Sequence, residues 1–181
     1  MRLRVVTEVA IFSALAIVLS YIIIFRAPQG GDISLVMVPI IFIALRRGVA
    51  AGVISGCITG AVTFMFGGFF VSPLQVICDY VLAFGAIGLA GLFAKRYQAA
   101  VFAKHGSQLY LWLAGLVAGA ASLFFHTLAG IVFYTSYAPK GQPVWLYSLI
   151  YNSIYMVPDT ILAVVCLMVI MHRLNGRHLP S

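Results

Sequence analysis

Four acidic residues occur in the 181-residue chain, Glu8, Asp32, Asp79 and Asp159, and two of these, Asp79 and Asp159, fall inside long apolar runs. A carboxylate in such surroundings needs a partner, because an isolated buried charge is costly. No Lys or Arg lies at the depth of Asp79 in its apolar segment. A cationic small molecule would supply the missing charge. His126, Gly130 and Tyr134 recur every fourth residue and share one helical stripe, with the glycine leaving a gap between two rings. Ser148, Asn152, Tyr155 and Asp159 follow at spacings of four, three and four, which makes a second, polar stripe. Trp145 and Tyr147 stand just before it. Aromatic faces attract cations, and an asparagine presents both a donor and an acceptor. This set suits a flat, positively charged heteroaromatic ligand such as one carrying an aminopyrimidine edge.

Other readings attach to the same residues. Asp79 and Asp159 could form the carboxylate pair of an intramembrane hydrolase, but proton sharing requires them within a few ångströms. Their depths differ by about one to two helical turns, and the Tyr-Asp and Gly-x-Gly-Asp contexts of intramembrane aspartyl proteases are absent. A non-transport structural membrane protein is the remaining alternative. In that case Tyr134, Tyr137, Trp145 and Tyr147 form an interfacial aromatic belt, and His126 and Asp159 join neighbouring helices. Glu8, near a helix end, is expected to reach water or Arg4. No basic residue is expected in the pocket to hold a phosphate.

The elements that must position these groups are set by composition. Hydrophobic residues make up 63% of the chain and charged residues 8%, against about 25% charged in soluble domains, and the mean hydropathy is +1.08. Apolar runs long enough to cross a bilayer as helices are read at 5–25, 33–45, 49–66, 73–94, 108–134 and 144–172. The result is an all-α integral membrane bundle of six helices, one domain over residues 1–181. The second run is short and holds Pro39, so it is expected to be kinked, partly inserted or extended by the Gly30-Gly31 approach. With both termini inside, Arg2, Arg4, Arg46, Arg47, Lys95, Arg96, Lys104, Arg173 and Arg177 face the cytoplasm, and only Arg26 and Lys140 face out. The net charge of +7 is thus explained by topology and does not point to nucleic acid. Gly52, Gly56 and Gly60, then Gly115 and Gly119, mark close helix packing, and Ala10 and Ala14 make a milder pair that could face a partner. Cys57, Cys78 and Cys166 match no metal or disulfide spacing and read as packing.

Several stretches in order along the chain complete the pattern: Thr7-Glu-Val-Ala, Pro39 to Leu45-Arg-Arg-Gly48, Asp79-Tyr80 followed by Gly88-Leu-Ala-Gly-Leu-Phe93, Phe125-His-x-x-Ala-Gly-Ile131, and Tyr147-Ser-Leu149 with Asn152. Taken together the chain resembles the thiamine-specific substrate-binding (S) component of bacterial energy-coupling factor (ECF) vitamin transporters. The resemblance implies a six-helix bundle in the cell membrane with an outward-facing vitamin site and no cofactor. It implies ligand-binding roles for Asp79, Tyr80, His126, Gly130, Tyr134, Tyr147 and Asn152. Asp79 stands where the family carries a glutamate, and Tyr134 where it carries a tryptophan that stacks on the ligand. An aromatic of the first outer loop is replaced by the Gly30-Gly31 region. The implied partners are a transmembrane coupling subunit, docked on the Ala10 and Ala14 face, and two ATPase subunits. This chain itself has no Gly-x-x-x-x-Gly-Lys-[Ser/Thr] phosphate loop. An S component for a different vitamin or precursor is the nearest alternative.

Overall fold

The computed structural model describes residues 3–28 and 30–175. The first helix, α1 (Leu3–Ser20), turns Val9, Ser13 and Ala16 inward and leaves large aliphatic side chains such as Leu3, Ile11 and Val18 uncovered on its outer side. That division suits a helix with lipid on one side and protein on the other. Ser13 Oγ donates to Val9 O (2.8 Å) and also reaches Ser55 Oγ (3.0 Å), which ties α1 to the third helix by a buried polar contact.

The apolar run expected to remain helical to residue 25 stops at Ser20. Ile22, Ile23 and Ile24 are β-branched, stiff at χ1 and better suited to extended backbone. They lead into a two-stranded antiparallel hairpin, β1 (Phe25–Arg26) and β2 (Asp32–Ile33), with Phe25 opposite Ile33 and Arg26 opposite Asp32. The connection after α1 thus holds a short paired segment. Gly30, at φ 98°, supplies its left-handed backbone.

The second helix, α2 (Met37–Arg47), is eleven residues long, and Met37 to Ile41 and Ile43 to Leu45 are all buried. At 1.5 Å per residue it spans about 16 Å, roughly half a hydrocarbon core. Its length is tolerable because it is enclosed by other helices and does not meet lipid. Pro39 sits in its first turn, where no intrahelical N–H bond is lost, so the anticipated kink does not arise. Gly48, at φ 90°, ends α2 and passes directly into α3 (Val49–Met65).

The fourth helix, α4 (Pro73–Phe102), runs eight residues past its expected end at 94 and is not uniform. Ser72 caps it, accepting from Gln75 N (3.1 Å) with Pro73 in the first turn. A π-turn covers Ile77–Leu82 and a 3₁₀ stretch covers Gly88–Phe93. α3 and α4 meet backbone to backbone: a Cβ added at Gly52, Gly56 or Gly60 would collide with Gly88, with the Phe84 carbonyl or with the Tyr80 carbonyl, respectively. Helix α5 (Ser107–Phe133) meets α6 (Val144–Asn175) in the same way, with Gly115 under Val164 and Gly119 under Thr160. The glycine seams are internal packing surfaces.

At the end of the bundle remote from the hairpin, Glu8 is gripped by two arginines of α2. Arg46 Nε lies 3.1 Å from its carboxylate and Arg47 Nη2 lies 2.6 Å away. This replaces the expected contact with Arg4. Gln98 of α4 donates to the carbonyls of Leu45 (2.8 Å) and Arg46 (3.1 Å) at the same end. Among the described residues, α1, α4, α5 and α6 are long and apolar enough to cross a membrane, and α3 is a shorter apolar helix.

Candidate functional site

A cavity of about 640 Å³ opens at the hairpin end of the bundle. Asp79, Tyr80, His126, Gly130, Tyr134, Tyr147 and Asn152 all line it. Asp159 lines it too, with Met37 and Met156.

Asp79 sits in the π-turn of α4, an irregularity that recurs at functional sites. Its side chain is 13% exposed. Gln75 Nε2 (2.9 Å) and Tyr134 Oη (3.0 Å) donate to Oδ2, and His126 Nδ1 lies 3.1 Å from Oδ1. An ionised carboxylate has about four acceptor positions, so these three donors leave capacity on the Oδ1 side. The donors are neutral side chains, apart from any charge on His126, and no Lys or Arg is bonded to Asp79 among the described residues.

Asn152 is engaged within its own helix. Its Nδ2 donates to Ser148 O (2.8 Å) and Ser148 Oγ (3.2 Å), and Tyr155 Oη donates to its Oδ1. A ligand using the donor and acceptor of Asn152 has to share or exchange these bonds. Gly130 leaves its gap for Ser148, whose Oγ occupies the place of the missing Cβ. The expected gap between two rings is thus filled from α6. Tyr147 stacks near Tyr151 (6.0 Å between ring centres), Tyr151 meets Tyr155 edge-on (6.0 Å), and Tyr155 meets His126 edge-on (6.1 Å). Trp145 is exposed and does not line the cavity.

The match between this chain and known proteins is extensive. A family model described as thiamine transporter protein fits residues 6–178. The chain belongs to the thiamine transporter family. It is 40% identical over 165 residues to the thiamine transporter ThiT of Bacillus subtilis (strain 168), covering 88% of this chain and 86% of that one. It is 35% identical over 170 residues to a thiamine transporter ThiT of Lacticaseibacillus paracasei, covering 91% and 85%. A solved structure of ThiT from Listeria monocytogenes superposes with a TM-score of 0.88 at 30% identity, covering 95% of both chains. The family is one of transporters, which sets aside the hydrolase reading of Asp79 and Asp159.

Within this thiamine transporter family member, several residues at or just behind the cavity wall escaped sequence reasoning. Gln75 is 1% exposed and bonded to Asp79; its trace in the sequence is Ser72-x-x-Gln75, a helix-start pattern that signals a cap and says nothing of a site. Phe69, on the loop before α4, stacks on Tyr134 with ring centres 6.1 Å apart. Tyr151 extends the aromatic wall beside Tyr155 of the expected polar stripe. Arg26 lines the mouth, contrary to the expectation that no basic residue would be there. The hairpin register brings it opposite Asp32. Burial raises the Asp32 carboxyl pKa above its ordinary value, opposed by Arg26 and His126. Three of the four acidic residues of the chain, Asp32, Asp79 and Asp159, therefore face one space. Asp159 is 4% exposed, and its Oδ1 accepts from Ser34 N (2.8 Å), just before α2.

Proposed function

We propose that this protein is the substrate-capturing S component of an ECF-type importer in a bacterial plasma membrane, and that its cavity binds thiamine from the outer face. The observation that carries the reading is Asp79: a carboxylate held by three donors, with acceptor capacity left over and no Lys or Arg bonded to it among the described residues, beside the rings of Tyr134, Phe69 and His126. A thiazolium ring supplies the missing positive charge and presents a flat face for stacking. The aminopyrimidine then falls toward Tyr147, Tyr151 and Asn152. The cavity volume lies inside the range of about 300–1,000 Å³ usual for small-molecule sites. The relatives carry the name thiamine transporter.

The reading includes six membrane-crossing segments in one domain, with both termini inside. It is supported by Arg46, Arg47 and the Gln98 turn gathering at the end of the bundle away from the cavity. The short α2 completes its crossing with the segment before it, since non-helical backbone is tolerated at membrane depth where it lines a cavity. Ala10 and Ala14 lie on the exposed side of α1, where a coupling subunit that joins two ATPases could approach closely. Bulky residues at both positions are expected to abolish assembly with the coupling subunit and leave thiamine binding intact; normal assembly would refute that surface.

Isothermal titration of the detergent-purified, ligand-stripped protein tests the function. Saturable binding of thiamine, with unrelated vitamins silent, is the expected result. Heat from another vitamin alone would overturn the substrate.

A further inference from the structure

Gln75 does not line the cavity, yet it is fully buried and uses both ends of its amide on ligand-facing structure. Its Nε2 donates to Asp79 Oδ2 (2.9 Å) and to the Phe69 carbonyl (3.2 Å), and its Oε1 accepts from Val71 N (3.1 Å). The Phe69 amide in turn donates to Tyr80 Oη (2.6 Å). The Phe69 ring, 40% exposed, stacks on Tyr134, whose hydroxyl returns to Asp79. The contacts close a circuit that runs from Asp79 through Gln75 and Phe69 to Tyr134 and back. Phe66, Gly67 and Gly68 bond back to the end of α3 and Ser72 caps α4, so the middle of the loop, Phe69 and Val71, is held by Gln75 and Tyr80.

We infer that Gln75 is a positioning residue for thiamine recognition, tying the loop before α4 to Asp79 so that Phe69 forms one aromatic face of the site beside Tyr134. The inference rests on the thiamine reading of the cavity. A glutamine suits the task because it offers two donors and an acceptor without adding a charge beside Asp79. A leucine of similar bulk keeps the packing and removes every one of these bonds. Loss of a buried hydrogen-bonding partner leaves the loop amides and Asp79 to find others, which shifts the ring that they hold.

A double-mutant cycle decides whether Gln75 acts through Phe69. Gln75→Leu is expected to weaken thiamine binding about tenfold, and Phe69→Ala about fivefold from loss of the stacking face. The double variant is expected to be no weaker than Gln75→Leu alone. Multiplying effects, or full affinity in either single variant, would overturn the inference. Should Gln75→Leu fail to fold, Phe69→Tyr against Phe69→Ala decides: binding kept by tyrosine and lost by alanine supports it, and binding kept by alanine overturns it. If the wild-type protein ignores thiamine, the substrate reading fails by itself. Amide exchange at Phe69 and Val71 in the ligand-free protein then reports on the anchor: faster exchange in Gln75→Leu upholds it, and unchanged exchange refutes it.

Discussion

Replacing Asp79 by asparagine separates charge from shape at the centre of the cavity. Gln75 and Tyr134 both donate to Oδ2, whereas among the described residues only His126 is bonded at Oδ1. An asparagine can place its oxygen at the Oδ2 position and its NH₂ toward His126, whose ring then accepts at Nδ1 by changing tautomer. The network survives and the negative charge disappears. At about 4 Å and an effective dielectric of about 20, a unit charge pair is worth about 4 kcal/mol. Part of that is regained because the ligand cation no longer has to displace water from a carboxylate, so a loss of about 2–4 kcal/mol in binding is expected, or roughly 30- to 700-fold in Kd. Titration calorimetry with thiamine measures it directly. The neutral aminopyrimidine fragment serves as the control, and its affinity should change by no more than about twofold, since it carries no charge for Asp79 to balance. Thiamine affinity within about threefold of wild type, or an equal loss for thiamine and the fragment, would refute the counter-charge role.

Asp159→Ala leaves the buried Ser34 amide without its acceptor and should cost about 1–3 kcal/mol of stability, with Asp159→Asn costing less because it retains an acceptor oxygen; chemical denaturation in detergent ranks the two, and equal stability of all three proteins contradicts the assignment. Gly31→Ala sets a methyl group into the Tyr155 ring, so overpacking of about 1–3 kcal/mol is expected, read as a lower Tm with weakened thiamine binding. Glu8→Gln removes the charge shared by Arg46 and Arg47. At low ionic strength the Tm should fall by about 2–4 °C, with a smaller fall in high salt, and a salt-independent loss would show that packing, not charge, is at stake.

Much of the site could be read from residue order because it lies on regular helices. Ser148, Asn152, Tyr155 and Asp159 needed only the helical period to fall on one face, and all four line the cavity. The glycines of α3 and α5 likewise announced close contacts that the helix pairs make. The parts that stayed hidden depend on irregular backbone or on distant partners. Arg26 and Asp32 reach the cavity mouth through a hairpin whose register no periodicity encodes. Phe69 and Gln75 meet through the folding of the loop before α4. Glu8 finds Arg46 and Arg47 across 38 and 39 residues of sequence. The brevity of α2 was visible, but its cause was not: apolar residues on every side mean enclosure by protein as readily as contact with lipid.

The π-turn at Ile77–Leu82 divides α4 into two reading frames. Each i→i+5 bond spans one residue more than an α-turn, so the angular count that sets Gln75 beside Asp79, and Asp79 in the cavity wall, does not run on unbroken to Gly85 and Gly88, which lie against α3. A single-residue deletion in the turn would restore α-helical pitch there and swing one set of residues away from its target while sparing the other. The ligand half and the packing half of this helix are thus separately adjustable, and a compensating insertion elsewhere in the turn is the kind of second-site change that would bring them back into phase.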